Sequence, residues 1–575
     1  MNKEEQITPL KRFWLLLKPN ESEIRQVYSF AILNGLVALS LPLGIQSIIN
    51  LIQGGQISTS WIVLVFLVLL GIGLGGVLQI LQLRITENLQ QTIFTKAAFE
   101  FAYRIPRIKL KELYDEYAPE LVNRFFGITT IQKGLSKILI DFSSAIFQIF
   151  LGLLLLSLYH PFFIAISIVL IILVFLIFKL TGKQGLDTSL KESKYKFLVA
   201  HWLEEIARAN KTFKLAGEND ITLRKTDQNV SGYLEARESH FSVLKTQYIY
   251  MVIFKIIVAG LLLSIGGVLV INQQMNIGQF VAAELIILLI LNSVEKLILS
   301  LETIYDVLSS LEKIGTVMDL DLEVESENNN NSLQGKEAIS VELKTVSFSY
   351  IKPSKNNLNE ISLKINEGEK IMITGDNGSG KSTLLQIIAG LYETDSGSLI
   401  FNGLPVGNYN LSNLRTSIGT CFTGSPLFHG TLMENISMGK KDISINEVID
   451  ACSFAGLDEN LKELSKGLDT IVVPEGKTFS QSTNQKIAIA RSIASSPKLL
   501  LIDDSIDLIQ VEERKQIIKK LMAKENKWTL LIVSSDKNVA ESCDKICLME
   551  NGKVKAFDNY NKIKNLLPNL IDTNA

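Results

Sequence analysis

The run "KIMITGDNGSGKSTLLQIIAGL" (370–391) decides how the second half of the chain is read. "KIMIT" is a short β-prone run, and "LLQIIAGL" has the apolar spacing of a helix. Between them stand Gly375, Asp376, Asn377, Gly378, Ser379, Gly380, Lys381, Ser382 and Thr383. Glycines in such a strand-to-helix turn let successive backbone N–H groups wrap a phosphate, and the following helix points its positive end at it. Lys381 is placed to reach the β- and γ-phosphates, and the Ser382 hydroxyl suits a Mg²⁺ ion. The flanking strand and helix make this pattern far more specific than the bare motif, so it predicts a bound nucleotide with Mg²⁺.

Immediately upstream, "DLDLEVESENNNNSLQGKEA" (319–338) is acidic, then Asn-rich, and carries no apolar face. That composition marks a linker between a domain at 1–318 and one at 339–575. A chain of 575 residues is in any case too long for one core. The formal charge of −2 gives no electrostatic reason to expect nucleic acid as a partner.

Residues 1–318 hold six runs long and apolar enough to span a bilayer, at approximately 26–51, 61–83, 138–159, 161–182, 247–271 and 277–300. The short connections 53–60, 159–161 and 272–279 contain no Lys or Arg. The long connections 84–137 and 183–246 contain many, including Arg84, Arg104, Arg107, Lys191 and Lys196. By the positive-inside rule both termini and both long connections face the cytoplasm of a plasma (inner) membrane. Those long connections have few Gly or Pro and keep helical spacing, as in "LVAHWLEEIARANKTFKLAGE" (198–218). They predict spans that continue as helices beyond the bilayer and turn near 110–125 and 205–220. The expected fold is therefore a six-span α-helical membrane domain with long cytoplasmic extensions, followed by an α/β P-loop domain. The N-terminal stretch has mixed charge and no small-residue cleavage site, and reads as an amphipathic helix on the inner surface.

Two ionisable residues stand out inside apolar stretches, Lys255 in "MVIFKIIVAG" and Glu284 in "FVAAELIILL". Lys255 is expected to snorkel toward the inner interface. Glu284 lies too far from it in depth for a direct pair and is a candidate for lining a central cavity. The four cysteines, Cys421, Cys452, Cys543 and Cys547, lack metal-ligand spacing and read as buried free thiols of a reducing compartment.

Several further stretches carry a resemblance. In the second half they are "SGSLIFNG" (396–403), "LFHGTLMENI" (427–436), "IAIARSI" ahead of "PKLLLIDD", and "DKICLMENGKV" (544–554). In the first half they are "ELVNRF" (120–125) and "EEIARANKTFKLAGE" (204–218). With the phosphate loop and the six spans, these resemble a half-transporter of the ATP-binding cassette exporter family over nearly the whole chain. With no peptidase-like segment ahead of the first span, the chain is expected to differ from self-processing peptide exporters.

The resemblance implies an exporter subunit that works as a homodimer or as a heterodimer with a second half-transporter. Two ATP molecules are then sandwiched, each between one subunit's phosphate loop and the other's signature segment. It assigns Tyr350 to stacking on adenine, Asp503 to holding Mg²⁺ and Ser480 to the partner's γ-phosphate. Other positions depart from the family pattern. The catalytic glutamate falls on Asp504, the γ-phosphate histidine on Ser535, and the metal-coordinating glutamine on Thr423. A further loop aspartate falls on Gln510, and the signature's two glycines and glutamine fall on Gln481, Ser482 and Thr483. Asp504 is one methylene short, Ser535 carries no positive charge, and Cβ atoms at 481 and 482 restrict close approach of the backbone to phosphate. The implied activity is ATP-driven export with weak or partner-dependent hydrolysis. The alternative is a pseudo-ATPase that binds ATP in a regulatory membrane subunit without consuming it. The exported substrate is not identified by these residues.

Overall fold

The computed structural model describes residues 8–54, 59–114, 117–323, 337–351, 357–424 and 426–567. Most of the acidic and Asn-rich linker lies outside them. The chain forms two compact units. One comprises Met1–Ile108 and Glu116–Leu320, the other Lys109–Asp115 and Asp321–Ala575.

Among the described residues, the first unit has six helical segments long and apolar enough to cross a membrane. Three helices are much longer than a bilayer requires: Thr59–Arg104 (46 residues), Pro161–Arg208 (48) and Ile221–Leu261 (41). At a rise of 1.5 Å per residue the 48-residue helix is about 70 Å long, against a hydrocarbon core of about 30 Å. The expected cytoplasmic extensions are therefore continuous with their spans. Their described turns fall within 105–114 and 209–220, close to the expected positions. The first span is not one helix. Glu21–Ala38 ends and Ser40–Gln53 restarts the coil, because Pro42 has no N–H to give to the carbonyl of Ala38.

Apolar side chains such as Phe66, Ile80 and Phe175 point outward with more than half of their surface exposed, as a lipid-facing surface requires. Inside, polar contacts fix how the long helices pack. The buried Gln247 amide donates to Thr181 Oγ1 and to the Tyr305 hydroxyl, each at 2.9 Å, joining three helices. Gly185 makes room for the Tyr305 ring, since a Cβ there would lie 2.4 Å from Cζ.

Lys255 does not simply snorkel: its Nζ is 2.6 Å from Glu295 Oε2, on the helix Ile277–Met318. Glu284, on the same helix, is half-buried. The amphipathic N-terminal helix forms at Pro9–Leu17 with Trp14 and Leu10 exposed. It is tied to the last span by Arg12, which pairs with Asp319 and lies 3.6 Å from Glu312.

The second unit contains twelve strands among the described residues. They are β1 (Val341–Phe348), β2 (Leu358–Ile365), β3 (Lys370–Gly375), β4 (Ser396–Phe401), β5 (Leu404–Pro405), β6 (Ile418–Cys421), β7 (Gly430–Thr431), β8 (Ile471–Val472), β9 (Leu499–Ile502), β10 (Thr529–Val533), β11 (Lys545–Glu550) and β12 (Lys553–Asp558). A four-stranded antiparallel sheet has the order β2-β1-β4-β5, and a six-stranded sheet the order β12-β11-β3-β10-β9-β6. In the larger sheet β11, β3, β10, β9 and β6 are parallel, with β12 antiparallel at one edge. Ile371, Met372, Ile373, Leu499 to Ile502 and Leu530 to Ile532 are fully buried. That is why these strands read as unbroken apolar runs rather than alternating ones.

A candidate nucleotide site at the carboxyl edge of the sheet

Parallel strands end on one side of a sheet, and ligands bind outside those ends. Here β3 ends in the glycine-rich loop, β9 runs into Asp503 and Asp504, β6 leads to Thr423, and β10 leads to Ser535. Four of the positions singled out from the sequence are thus delivered to one edge by one topological fact.

The loop requires its glycines. Gly375 has φ +144°, and a Cβ there would lie 2.1 Å from the Met549 carbonyl oxygen. Gly380, with φ +100°, caps the helix Lys381–Ile388, and its Cβ would meet Asn357 O at 2.9 Å. Lys381 folds back over the loop, its Nζ donating to the carbonyls of Gly375 and Asp376 at 2.9 Å each. Burial lowers the Lys381 pKa, while Asp504 and Asp376 act in the opposite sense. Asp376, Asn377, Gly378 and Ser382 are exposed, whereas Ser379 and Thr383 are buried. The Ser379 hydroxyl has no hydrogen-bond partner among the described residues. A buried donor left in this way inside a phosphate-type loop fits an anionic ligand in the cradle.

Asp503 is buried, and its Oδ2 accepts from the backbone N–H of Thr423 at 2.6 Å. Asp504, next in sequence, is exposed, and its Oδ1 accepts from Thr423 Oγ1 at 3.3 Å. Ser382, Asp503 and Thr423 offer only oxygen donors, the type Mg²⁺ prefers. Among the described residues no cluster of three or more His, Cys, Asp or Glu forms a metal cage.

Tyr350 lies just beyond β1. Its hydroxyl is 3.1 Å from Thr383 Oγ1 and 2.9 Å from Gln386 Oε1, so it is anchored to the helix that follows the loop. Phe348 and Tyr392 pack against its ring at right angles, with centroids 4.9 and 5.3 Å away.

Residues 27–294 match the family described as ABC transporter transmembrane region, and residues 358–507 match the family described as ABC transporter. A solved bacterial Atm1-family ABC exporter with ATP bound superposes with a TM-score of 0.80. That match covers 95% of this chain and 96% of that one, at 18% identity. The chain has the fold of an ABC exporter half-transporter.

Curated relatives match segments of this chain. YgaD of Bacillus subtilis (strain 168), named as a multidrug export ATP-binding/permease protein, is 29% identical over 303 residues, 53% of this chain and 52% of that protein. YfiB of the same organism, an uncharacterised ABC transporter ATP-binding protein, is 34% identical over 214 residues, 37% of each chain. The alpha-hemolysin translocation protein HlyB of Escherichia coli O157:H7 is 27% identical over 354 residues, 61% of this chain and 49% of HlyB. The chain spans about half the length of the curated relatives it matches, or less.

The signature segment stands apart from the loop. Ser480 caps the helix Gln481–Ile493, its Oγ accepting from Thr483 N at 3.1 Å. With Ser482, Thr483, Lys486, Gln510 and Glu513 it lines a separate cavity of about 610 Å³. Lys486 is buried there and pairs with Glu513 at 2.6 Å. Ser535 is exposed in the turn after β10. Sequence reasoning missed one contact at the site itself, the Thr423–Asp504 hydrogen bond. The partners are 81 positions apart, and no local pattern announces it.

Proposed function

We propose that this chain is the ATP-binding subunit of an ABC-type exporter that moves substrate out of the cytoplasm, with weak or partner-dependent hydrolysis. ATP lies along the loop 375–383, with Lys381 against the β- and γ-phosphates and the Ser379 hydroxyl directed into the cradle. Tyr350 supports the adenine. Ser382 and Asp503, with Thr423 beside them, hold Mg²⁺, which supplies neutralisation of phosphate charge when bound. Asp504 is the remaining group able to accept a proton from attacking water, and Ser535 stands where a longer, cationic side chain would steady the γ-phosphate. Ser480 serves a second subunit's nucleotide, so the working unit is a homodimer or a heterodimer with another half-transporter.

The observation that carries slow hydrolysis is the Thr423–Asp504 hydrogen bond at 3.3 Å. A general base must lie within hydrogen-bond reach of the water it deprotonates. Here the short carboxylate is already engaged by a neighbouring side chain, drawing one oxygen toward Thr423. Loss of a single transition-state contact costs about two to three orders of magnitude in rate.

The test is ATP turnover by the full chain in lipid nanodiscs, alone and with any half-transporter that co-purifies, beside Lys381→Ala. Slow turnover abolished by Lys381→Ala supports the proposal. Tight ATP binding with no turnover in any assembly assigns the chain instead to the pseudo-ATPase class. Turnover of tens per second by the isolated chain sinks the idea that the substitutions limit catalysis.

A further inference from the structure

The nucleotide unit includes seven residues that come from far upstream, Lys109–Asp115. The described part of this segment is a compact run of turns, with Glu112 N–H donating to Lys109 O at 2.9 Å and Leu113 N–H to Leu110 O at 3.2 Å. It is fastened at three points. Lys109 Nζ lies 3.1 Å from Glu393 and Lys111 Nζ 3.8 Å from Asp395, both in the loop that follows Tyr392. The Lys109 backbone N–H donates to Asp321 O at 2.9 Å. Asp395 also accepts from Ser349 N–H at 2.9 Å, so the same carboxylate grips the residue before Tyr350.

At the end of this strap, Tyr114 lies on the ring of Tyr350. The two rings are stacked, with centroids 5.7 Å apart and planes 21° from parallel. The rest of the Tyr350 ring is enclosed at right angles by Phe348 and Tyr392, and its hydroxyl is held by Gln386 and Thr383. Aromatic groups stack with centroids about 4.5–7 Å apart. A purine stacked on the face that Tyr114 covers would have to occupy the volume of the Tyr114 ring.

We propose that Tyr114 is a built-in competitor for the base-binding face of Tyr350, so that nucleotide binding displaces the strap Lys109–Tyr114. This rests on the reading of Tyr350 as the adenine platform and adds what guards it. The described side-chain contacts of the strap go to Glu393, Asp395 and Tyr350 rather than to the loop 375–383, so the competition acts on the base and not on the phosphates. Tyr114 keeps nearly half of its surface exposed, and the cation of Lys109 faces a carboxylate that is 77% exposed. Such contacts are individually weak and salt-screened, as a displaceable strap requires.

Equilibrium binding of ATP and of inorganic tripolyphosphate to the full chain in nanodiscs tests this, with Tyr114→Ala, Tyr114→Phe and Lys109→Ala/Lys111→Ala. Tyr114→Ala is expected to bind ATP about three- to tenfold more tightly, the worth of one aromatic stack. Tripolyphosphate affinity stays at the wild-type value. Tyr114→Phe keeps the wild-type ATP affinity, because it keeps the ring. The double lysine variant tightens ATP binding without altering any ring, which guards against a folding defect in Tyr114→Ala. Unchanged ATP affinity in both Tyr114→Ala and the lysine variant overturns the proposal. So does weaker ATP binding by Tyr114→Ala, which would make Tyr114 a partner of the base. If Tyr350→Ala leaves ATP affinity unchanged while Lys381→Ala abolishes binding of both ligands, the adenine platform itself is misplaced and the competition falls with it.

Discussion

Thr423 Oγ1 donates to Asp504 Oδ1 at 3.3 Å, while the N–H of the same threonine donates to Asp503 Oδ2 at 2.6 Å. One residue thus holds both members of the acidic pair that ends β9. A glutamate at 504 is one methylene longer and extends the carboxylate beyond its present hydrogen bond with Thr423. Asp504→Glu is therefore expected to raise steady-state ATP turnover by about an order of magnitude, since catalysis is that sensitive to displacements near 1 Å. Thr423→Ala frees Asp504 without lengthening it and is expected to give a smaller gain. No gain from Asp504→Glu, singly or with Ser535→His, places the limit in the signature segment instead.

The cysteines give a prediction independent of catalysis. Cys452 and Cys547 are fully buried, and burial pushes both thiols up to about 12. The thiolate is the reactive form, so neither reacts with maleimide at pH 8 while the fold is intact. Native chain incubated for an hour should show both unlabelled by peptide mass spectrometry, and denatured chain should show both labelled. Rapid native labelling of either would mean that the core of the nucleotide unit opens readily.

How much of this was legible in the sequence follows from the range of each interaction. The phosphate loop could be read because its glycines answer to local backbone demands, a positive φ at 375 and 380 with no room for a Cβ. The spans and extensions could be read because hydropathy and helical spacing are local too. The break at Leu39 was marked only by Pro42, a residue tolerated inside membrane helices and so ambiguous. Contacts across the fold were not legible: Thr423 with Asp504, Lys255 with Glu295, Tyr114 with Tyr350. Each depends on a register between distant elements that no window of sequence contains. The departures from the family pattern at 423, 504 and 535 were visible, but their mutual contact was not.

The ion pair within the spans makes a prediction of sign. Lys255 and Glu295 are each about one-third exposed and lie 2.6 Å apart. Glu295→Gln leaves a cation in an apolar setting with a weaker partner and is expected to lower stability by about 1–3 kcal/mol. The exchange Lys255→Glu/Glu295→Lys should recover most of that loss. Thermal unfolding of the detergent-solubilised chain reads both, and a single variant as stable as wild type would show that the pair is incidental.

Lys370 yields a pH dependence. It opens β3, its Nζ donates to the carbonyls of Asn526 and Trp528 at 2.9 and 2.6 Å, and burial lowers its pKa from 10.5 to about 8, with Asp544 opposing. A lysine whose pKa is lower folded than unfolded binds fewer protons in the native state between those two values. Native stability from this group therefore rises with pH from about 8 to 10.5, and its penalty is full below pH 8. Lys370→Met removes the penalty along with two hydrogen bonds to carbonyls. The difference in melting temperature, variant minus wild type, should accordingly become less positive, or more negative, as the pH is raised from 7 to 10. A difference independent of pH would show that Lys370 stays protonated throughout, with its ammonium fully compensated by the two carbonyls and Asp544.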